Sequence, residues 1–139
     1  MSCKSGIYVV NTTTGTSIGI GGTYVPSTVI RRYGKYCQIG GNGISIGNCQ
    51  GGAGYYDVDA SVSVAASASG NITATLYKDG EPVQGATAME TATAAVNIVT
   101  LPISALVRLN CDCDTANLTI VIGGQAVTAQ NLAFVVEKI

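Results

Sequence analysis

The sequence predicts an all-β fold, a jelly-roll β-sandwich of about ten short antiparallel strands, and three observations carry that expectation. Apolar and polar residues alternate along most of the chain, which is the side-chain period of a strand, and no window of a dozen residues carries helical periodicity. Glycine-rich punctuation separates the alternating runs, with 18 glycines in 139 residues. Neither a tandem repeat nor a Pro/Ser-rich linker divides the chain, so residues 1–139 read as a single jelly-roll domain, with 1–6 as a candidate docking arm.

The elements follow in order. GIYVVNTT, from Gly6, starts the first strand; TSIGIGG and TYVPSTVIRRY follow after short glycine-rich turns, and NGISIG is a short strand between Asn-Gly and Gly-Asn signals. In GYYDVDASVSVAA, from Gly54, the alternation puts Tyr56, Val58, Ala60, Val62 and Val64 on one face and Tyr55, Asp57, Asp59, Ser61 and Ser63 on the other. NITATLYKDGEPVQGATA is the plainest hairpin: Ile72, Ala74 and Leu76 share a face, Asp79-Gly80 forms the turn, and a strand returns through Val83. AAVNIVTLPISALVRLN reads as two short strands hinged at Pro102, and NLTIVIGGQAVTAQNLAFVVEKI as two more around Gly123-Gly124. The last of these is apolar on both sides, with Leu132, Phe134 and Val136 on one and Ala133 and Val135 on the other. Such a strand belongs in the middle of a sheet whose second face is covered, and a neighbouring subunit is the natural cover where no helix is available.

Composition narrows the function. Charged residues are 11% of the chain against about 25% in ordinary soluble domains, while 47% are hydrophobic. Part of the surface is therefore expected to be buried against copies of the same chain. A net charge of −1, with Arg31-Arg32 as the only basic pair, argues against nucleic-acid binding. No apolar run approaches the roughly 20 residues that span a bilayer, so no membrane insertion is expected. MSCKSGIYVV lacks the apolar segment and cleavage site of a signal peptide, which implies synthesis in a cytoplasm and release, if any, by lysis or a dedicated machine.

Chemistry is scarce. The chain has no histidine and eight carboxylates, so a serine triad cannot be built, and a cysteine nucleophile would lack its usual base. No enzymatic activity is expected. Asp57 and Asp59 lie on one strand face roughly 6.5–7 Å apart, a spacing equally common on solvated strands. The five cysteines, Cys3, Cys37, Cys49, Cys111 and Cys113, are an odd set without a secretory signal and read as reduced thiols rather than a disulfide framework. Zinc at the Cys111–Asp114 stretch (CDCD) is disfavoured by the close spacing and the absence of histidine; a turn with partly buried thiols is the expectation. Glycine-rich phrases such as IGIGGTY precede no helix and end in no Gly-Lys-Ser/Thr, so neither nucleotide nor any other cofactor is expected. Asn11, Asn71 and Asn117 begin glycosylation sequons, discounted for want of a secretory signal.

The order of these phrases resembles the trimeric jelly rolls of the tumour necrosis factor and complement globular-head superfamily. The phrases are Gly54-Tyr55-Tyr56-Asp57-Val58, the hairpin ITATLYKDG, the short strands Val96 to Leu101 and Ala105 to Leu109, and the terminal LAFVV, with Ile7 to Tyr33 in the place of the family's first strands. The wording GYYDVDASVSV, LYKDGEPVQGA, CDCD and VVEKI is similar to small phage virion proteins, and no collagen-like repeat precedes the domain. The resemblance implies a homotrimer in a virion, made in the bacterial host cytoplasm, that decorates a capsid or contributes a head fibre or knob, with capsid or other virion proteins as partners. It also implies that the Gly54 strand runs close to a threefold axis. Tyr55, Tyr77, Val121 and Val135, each opposite a better core face, are then the interface candidates. Asp57 and Asp59 either face solvent at the rim or gather around an axial cation. Two alternatives stay open: a bacterial surface or appendage filament subunit cross-linked through cysteines, and a host-attachment module binding surface glycan through loops around Tyr33 and Tyr36.

Overall fold

In a computed structural model the described residues are 5–48, 51–111 and 113–139. They form eleven strands and no helix. These are β1 (Ser5–Asn11), β2 (Ser17–Ile18), β3 (Thr28–Tyr33), β4 (Cys37–Gly40), β5 (Gly43–Ile46), β6 (Gly54–Ala66), β7 (Gly70–Lys78), β8 (Glu81–Ala92), β9 (Ile98–Leu109), β10 (Ala116–Gly123) and β11 (Val127–Lys138). One sheet has the order β3-β1-β11-β6-β9, with β2 also paired to β11; the second has the order β4-β5-β10-β7-β8. Every pairing is antiparallel, and from β5 onward the chain crosses between the sheets at every step except the β7–β8 hairpin, as in a jelly roll.

The inward sets predicted from alternation meet between the sheets. Tyr56, Val58, Val62 and Val64 of β6 and Leu132, Phe134 and Val136 of β11 pack toward Ile72, Ala74 and Leu76 of β7 and Leu118, Ile120 and Ile122 of β10, in one continuous core. Phe134 is the only phenylalanine and is fully buried beside β1 and β6. β11 occupies the middle of its sheet, as its apolar character on both sides requires.

Turn chemistry sets the register. Lys78 and Glu81 flank a two-residue turn in which Asp79 and Gly80 take φ of 53° and 84°, the paired positive angles that match the twist of a hairpin. Gly41 and Asn42 repeat the device between β4 and β5, with φ of 58° and 65°. At the end of that turn, Gly43 crosses so close to the Leu118 carbonyl that any Cβ there would collide with backbone.

Two sequence expectations are corrected and one unanticipated strand appears. Pro102 does not hinge two strands: β9 is continuous from Ile98 to Leu109, because it is the edge of its sheet and proline's missing N–H costs no ladder bond on the unpaired side. The TSIGIGG run supplies only the two residues of β2, and its glycines turn the chain back, with Gly22 N–H donating to the Gly19 carbonyl. Finally, β4 forms a strand that alternation over so short a run did not mark.

Between β8 and β9, Val96 takes φ of 58° although it is β-branched and 80% exposed. Its N–H donates to the Ala66 carbonyl, and Asn97 accepts from Ala66 N–H, so the strand end holds this strained conformation in place. A left-handed β-branched residue costs roughly 1–2 kcal/mol, and glycine's greater chain entropy returns part of that. Val96→Gly is therefore expected to stabilise the fold by about 0.5–1 kcal/mol, a rise of ~2–4 °C in thermal midpoint by circular dichroism.

Candidate subunit interface

Strand pairing arranges the outward residues of the first sheet in rows that cross β3, β1, β11, β6 and β9. One row is Tyr33, Gly6, Glu137, Asp57 and Leu106; the next is Arg31, Tyr8, Val135, Asp59 and Ser104; a third is Thr28, Val10, Ala133, Ser61 and Pro102. The face is low in the middle and high at its margins. Small side chains of β11, β6 and β9 floor a depression of about 480 Å³ lined by Asp59, Ser61, Pro102, Ser104, Ala133 and Val135. On one side Tyr8 rises, 37% exposed; on the other, Leu106 is 56% exposed, with Tyr55 beyond it at 47%. A second hollow, about 210 Å³, lies between Tyr8, Arg31, Tyr33, Val135 and Glu137.

Tyr33 lies across Gly6, where a Cβ would come within 2.6 Å of its ring. Desolvation raises the pKa of its hydroxyl, with smaller contributions from the charges of Glu137 and Cys37. Among the described residues the charges on this face are the carboxylates Asp57, Asp59 and Glu137 and the guanidinium groups of Arg31 and Arg108. Arg108 is engaged within the subunit, its guanidinium 5.6 Å from the centre of the Tyr55 ring.

The four interface candidates divide between opposite sides of the sandwich. Val135 and Tyr55 stand on this outer face, Val135 beside Asp59 and Tyr55 beside Arg108. Tyr77 and Val121 project from the outside of the second sheet, paired with Thr119 and Thr75. Asp57 and Asp59 face outward, and among the described residues no cluster of three or more metal-binding side chains forms. Sequence reasoning passed over Tyr8, Leu106 and Arg31. Leu106 had a legible signal, since it is the apolar residue out of phase with buried Ile103, Val107 and Leu109; Tyr8 and Arg31 join the site only through pairing across strands.

At the end of the sandwich where β1 begins and β9 finishes, buried polar side chains among the described residues are hydrogen-bonded. The buried Ser5 hydroxyl donates to the Tyr33 carbonyl, accepts from Tyr36 N–H and lies beside the Cys37 thiol. Burial pushes the Cys37 thiol up to about 11, against Ser5 and Arg32, which pull it down. Arg32 Nε donates to the Cys37 carbonyl at 2.8 Å. Tyr56 donates its hydroxyl proton to the Gly52 carbonyl at 2.7 Å, and burial raises its pKa. Tyr36 is buried against Gly51 and Gly52, which removes it from any exposed sugar-stacking platform. Cys111 and Cys113 are exposed rather than partly buried, because their turn closes on its own backbone, with Asp114 N–H donating to Cys111 and the Asp114 carboxylate accepting from Cys111 N–H. Cys3, Cys49, Asp112 and most of the candidate docking arm lie outside the described residues.

No protein-family model matches the chain, and no curated protein matches it. Its fold is similar to solved structures. Murine APRIL at pH 5.0 superposes with a TM-score of 0.70 at 12% identity, covering 98% of this chain and 99% of that one. Eiger TNF from S. frugiperda gives 0.65 at 11% identity, covering 98% and 91%. PRD1 vertex protein P5 gives 0.59 at 12% identity, covering 99% and 98%. The shared feature is the jelly-roll sandwich over nearly the whole chain.

Two outcomes follow from the thiols. Cys111 and Cys113 will react with a maleimide in the native protein, whereas Cys37 will react only on unfolding, as mass spectrometry of labelled peptides can establish. Because the folded state keeps Cys37 neutral up to about 11 while an unfolded thiol ionises near 9.0, the unfolded chain loses its proton first and stability falls as pH rises from 9 toward 11. Urea midpoints across that range will decline less steeply in Cys37→Ala than in wild type.

Proposed function

We propose that this protein is a non-enzymatic virion structural protein, a homotrimer that decorates a capsid or forms part of a head fibre or knob. The observation that carries the reading is the outer face of the β3-β1-β11-β6-β9 sheet: a central strand with Ala133 and Val135 on its outside, floored by small residues and flanked by Tyr8 and Leu106. In a chain with so few charges, covering such a face with another copy removes apolar surface from water at about 25 cal/mol per Å². A ring of three copies achieves this with one repeated contact. Fold-level likeness to TNF-family jelly-roll trimers and to PRD1 vertex protein P5 supports both the trimer and the virion. Asp57 and Asp59 then belong to a surface for assembly, and capsid proteins are the further partners.

A second reading, an appendage subunit cross-linked through cysteines, is favoured by the exposure of Cys111 and Cys113. Electrophoresis with and without reductant separates the two, since covalent ladders that collapse on reduction belong to the appendage. For the virion reading, purified particles will contain the protein by mass spectrometry and bind antibody raised against it; particles lacking it would contradict the assignment. Val135→Arg places a charge over the central depression, and size-exclusion chromatography with light scattering is expected to show a folded monomer.

A further inference from the structure

Covering the outer face of the first sheet creates a demand that the subunit does not meet by itself. Asp59 stands on the wall of the central depression, beside Val135 and Ser104, and among the described residues no cation of its own subunit forms an ion pair with it. A carboxylate enclosed there without a partner would oppose assembly, because it would lose its hydration with no opposite charge to replace it. Among the described residues the face projects two cations, Arg31 and Arg108. Arg108 is held over Tyr55, which leaves Arg31 at the opposite margin. Arg31 and Asp59 occupy the same row, separated by β1 and β11, and three strand spacings put about 14 Å between them within one subunit. That separation prevents pairing in the monomer.

Ring closure removes the separation. A threefold contact is head to tail, so the β3 side of one face meets the β6 and β9 side of the next. If the strands run along the axis, so that the face is covered over its full length, rotation leaves the level along the strand unchanged and each residue meets its own row in the neighbour. We propose that Arg31 of each copy pairs with Asp59 of the next, seating the β3 margin, with Tyr8 and Tyr33, against the depression that contains Asp59. The occupant of this surface is a second copy of the chain, and the complementarity of its two margins selects it. This inference rests on the trimer reading and specifies its contact. It replaces both earlier fates of Asp59, free solvation and an axial cation, with a bond between subunits.

Reversing either charge tests it. Sedimentation velocity over a concentration series will show a trimer in wild type, with a dissociation constant about a hundredfold higher in Arg31→Glu and in Asp59→Lys. The double variant, Arg31→Glu with Asp59→Lys, will recover to within about tenfold of wild type. Circular dichroism on each variant ensures that the fold is retained. Single variants that assemble like wild type, or a folded double variant that stays dissociated, would overturn the pairing while leaving the trimer intact. Strengthening of the wild-type trimer by calcium, lost in Asp59→Asn but kept in Arg31→Glu, would also overturn it in favour of an axial cation. A monomeric wild type would instead remove the trimer reading on which the pairing rests.

Discussion

The whole arrangement depends on one strand that is apolar on both sides. β11 lies between β1 and β6; Leu132, Phe134 and Val136 enter the core, while Ala133 and Val135 face out. Its inward half ties the two sheets together. The outward half cannot be made polar by a shift in register, because a one-residue slip would turn the core residues to solvent. The sheet therefore presents an apolar middle as a direct consequence of its central strand, and the small residues of β6 and β9 around it make that middle a hollow.

The ends of the sandwich show a different economy. Where β1 begins, the Ser5 and Tyr56 hydroxyls are buried and hydrogen-bonded beside the buried Cys37, which favours rigidity at this end. At the other end, Gln125 bridges to the turn after β6, accepting from the backbone N–H groups of Ser67 and Ala68 and donating to the Ala68 carbonyl. The described residues Ser5, Gly52, Ser67 and Ala68 at the two ends are thus held by hydrogen bonds. The long face between them is left as the place where a partner can contribute most.

Much of this was legible in the sequence. Period-two alternation identified the inward faces of β6, β7 and β11 residue by residue, and Asp79-Gly80 located its hairpin. The doubly apolar LAFVV run pointed to a central strand. What escaped was whatever depends on pairing between distant strands. Tyr8, Arg31, Val135 and Asp59 share a row only because β3, β1, β11 and β6 are neighbours, an order that local alternation does not encode. Pro102 misled for a related reason: proline breaks a central strand but is tolerated at an edge, and edge position is a property of the assembled sheet. Tyr36 looked available in its glycine-rich surroundings, yet those glycines are what allow its ring to bury.

Hydroxyl-radical footprinting of the native protein tests most directly whether the outer face of the first sheet is covered in the assembly. Tyr8, Leu106 and Tyr55 should oxidise far more slowly than their exposure in one subunit implies. Met89, 62% exposed on the outside of β8, supplies the reference once intrinsic reactivities are normalised. Protection of Tyr8 and Leu106 that disappears on dilution is the result this account predicts. Oxidation of both at the normalised rate of Met89, independent of protein concentration, would contradict it.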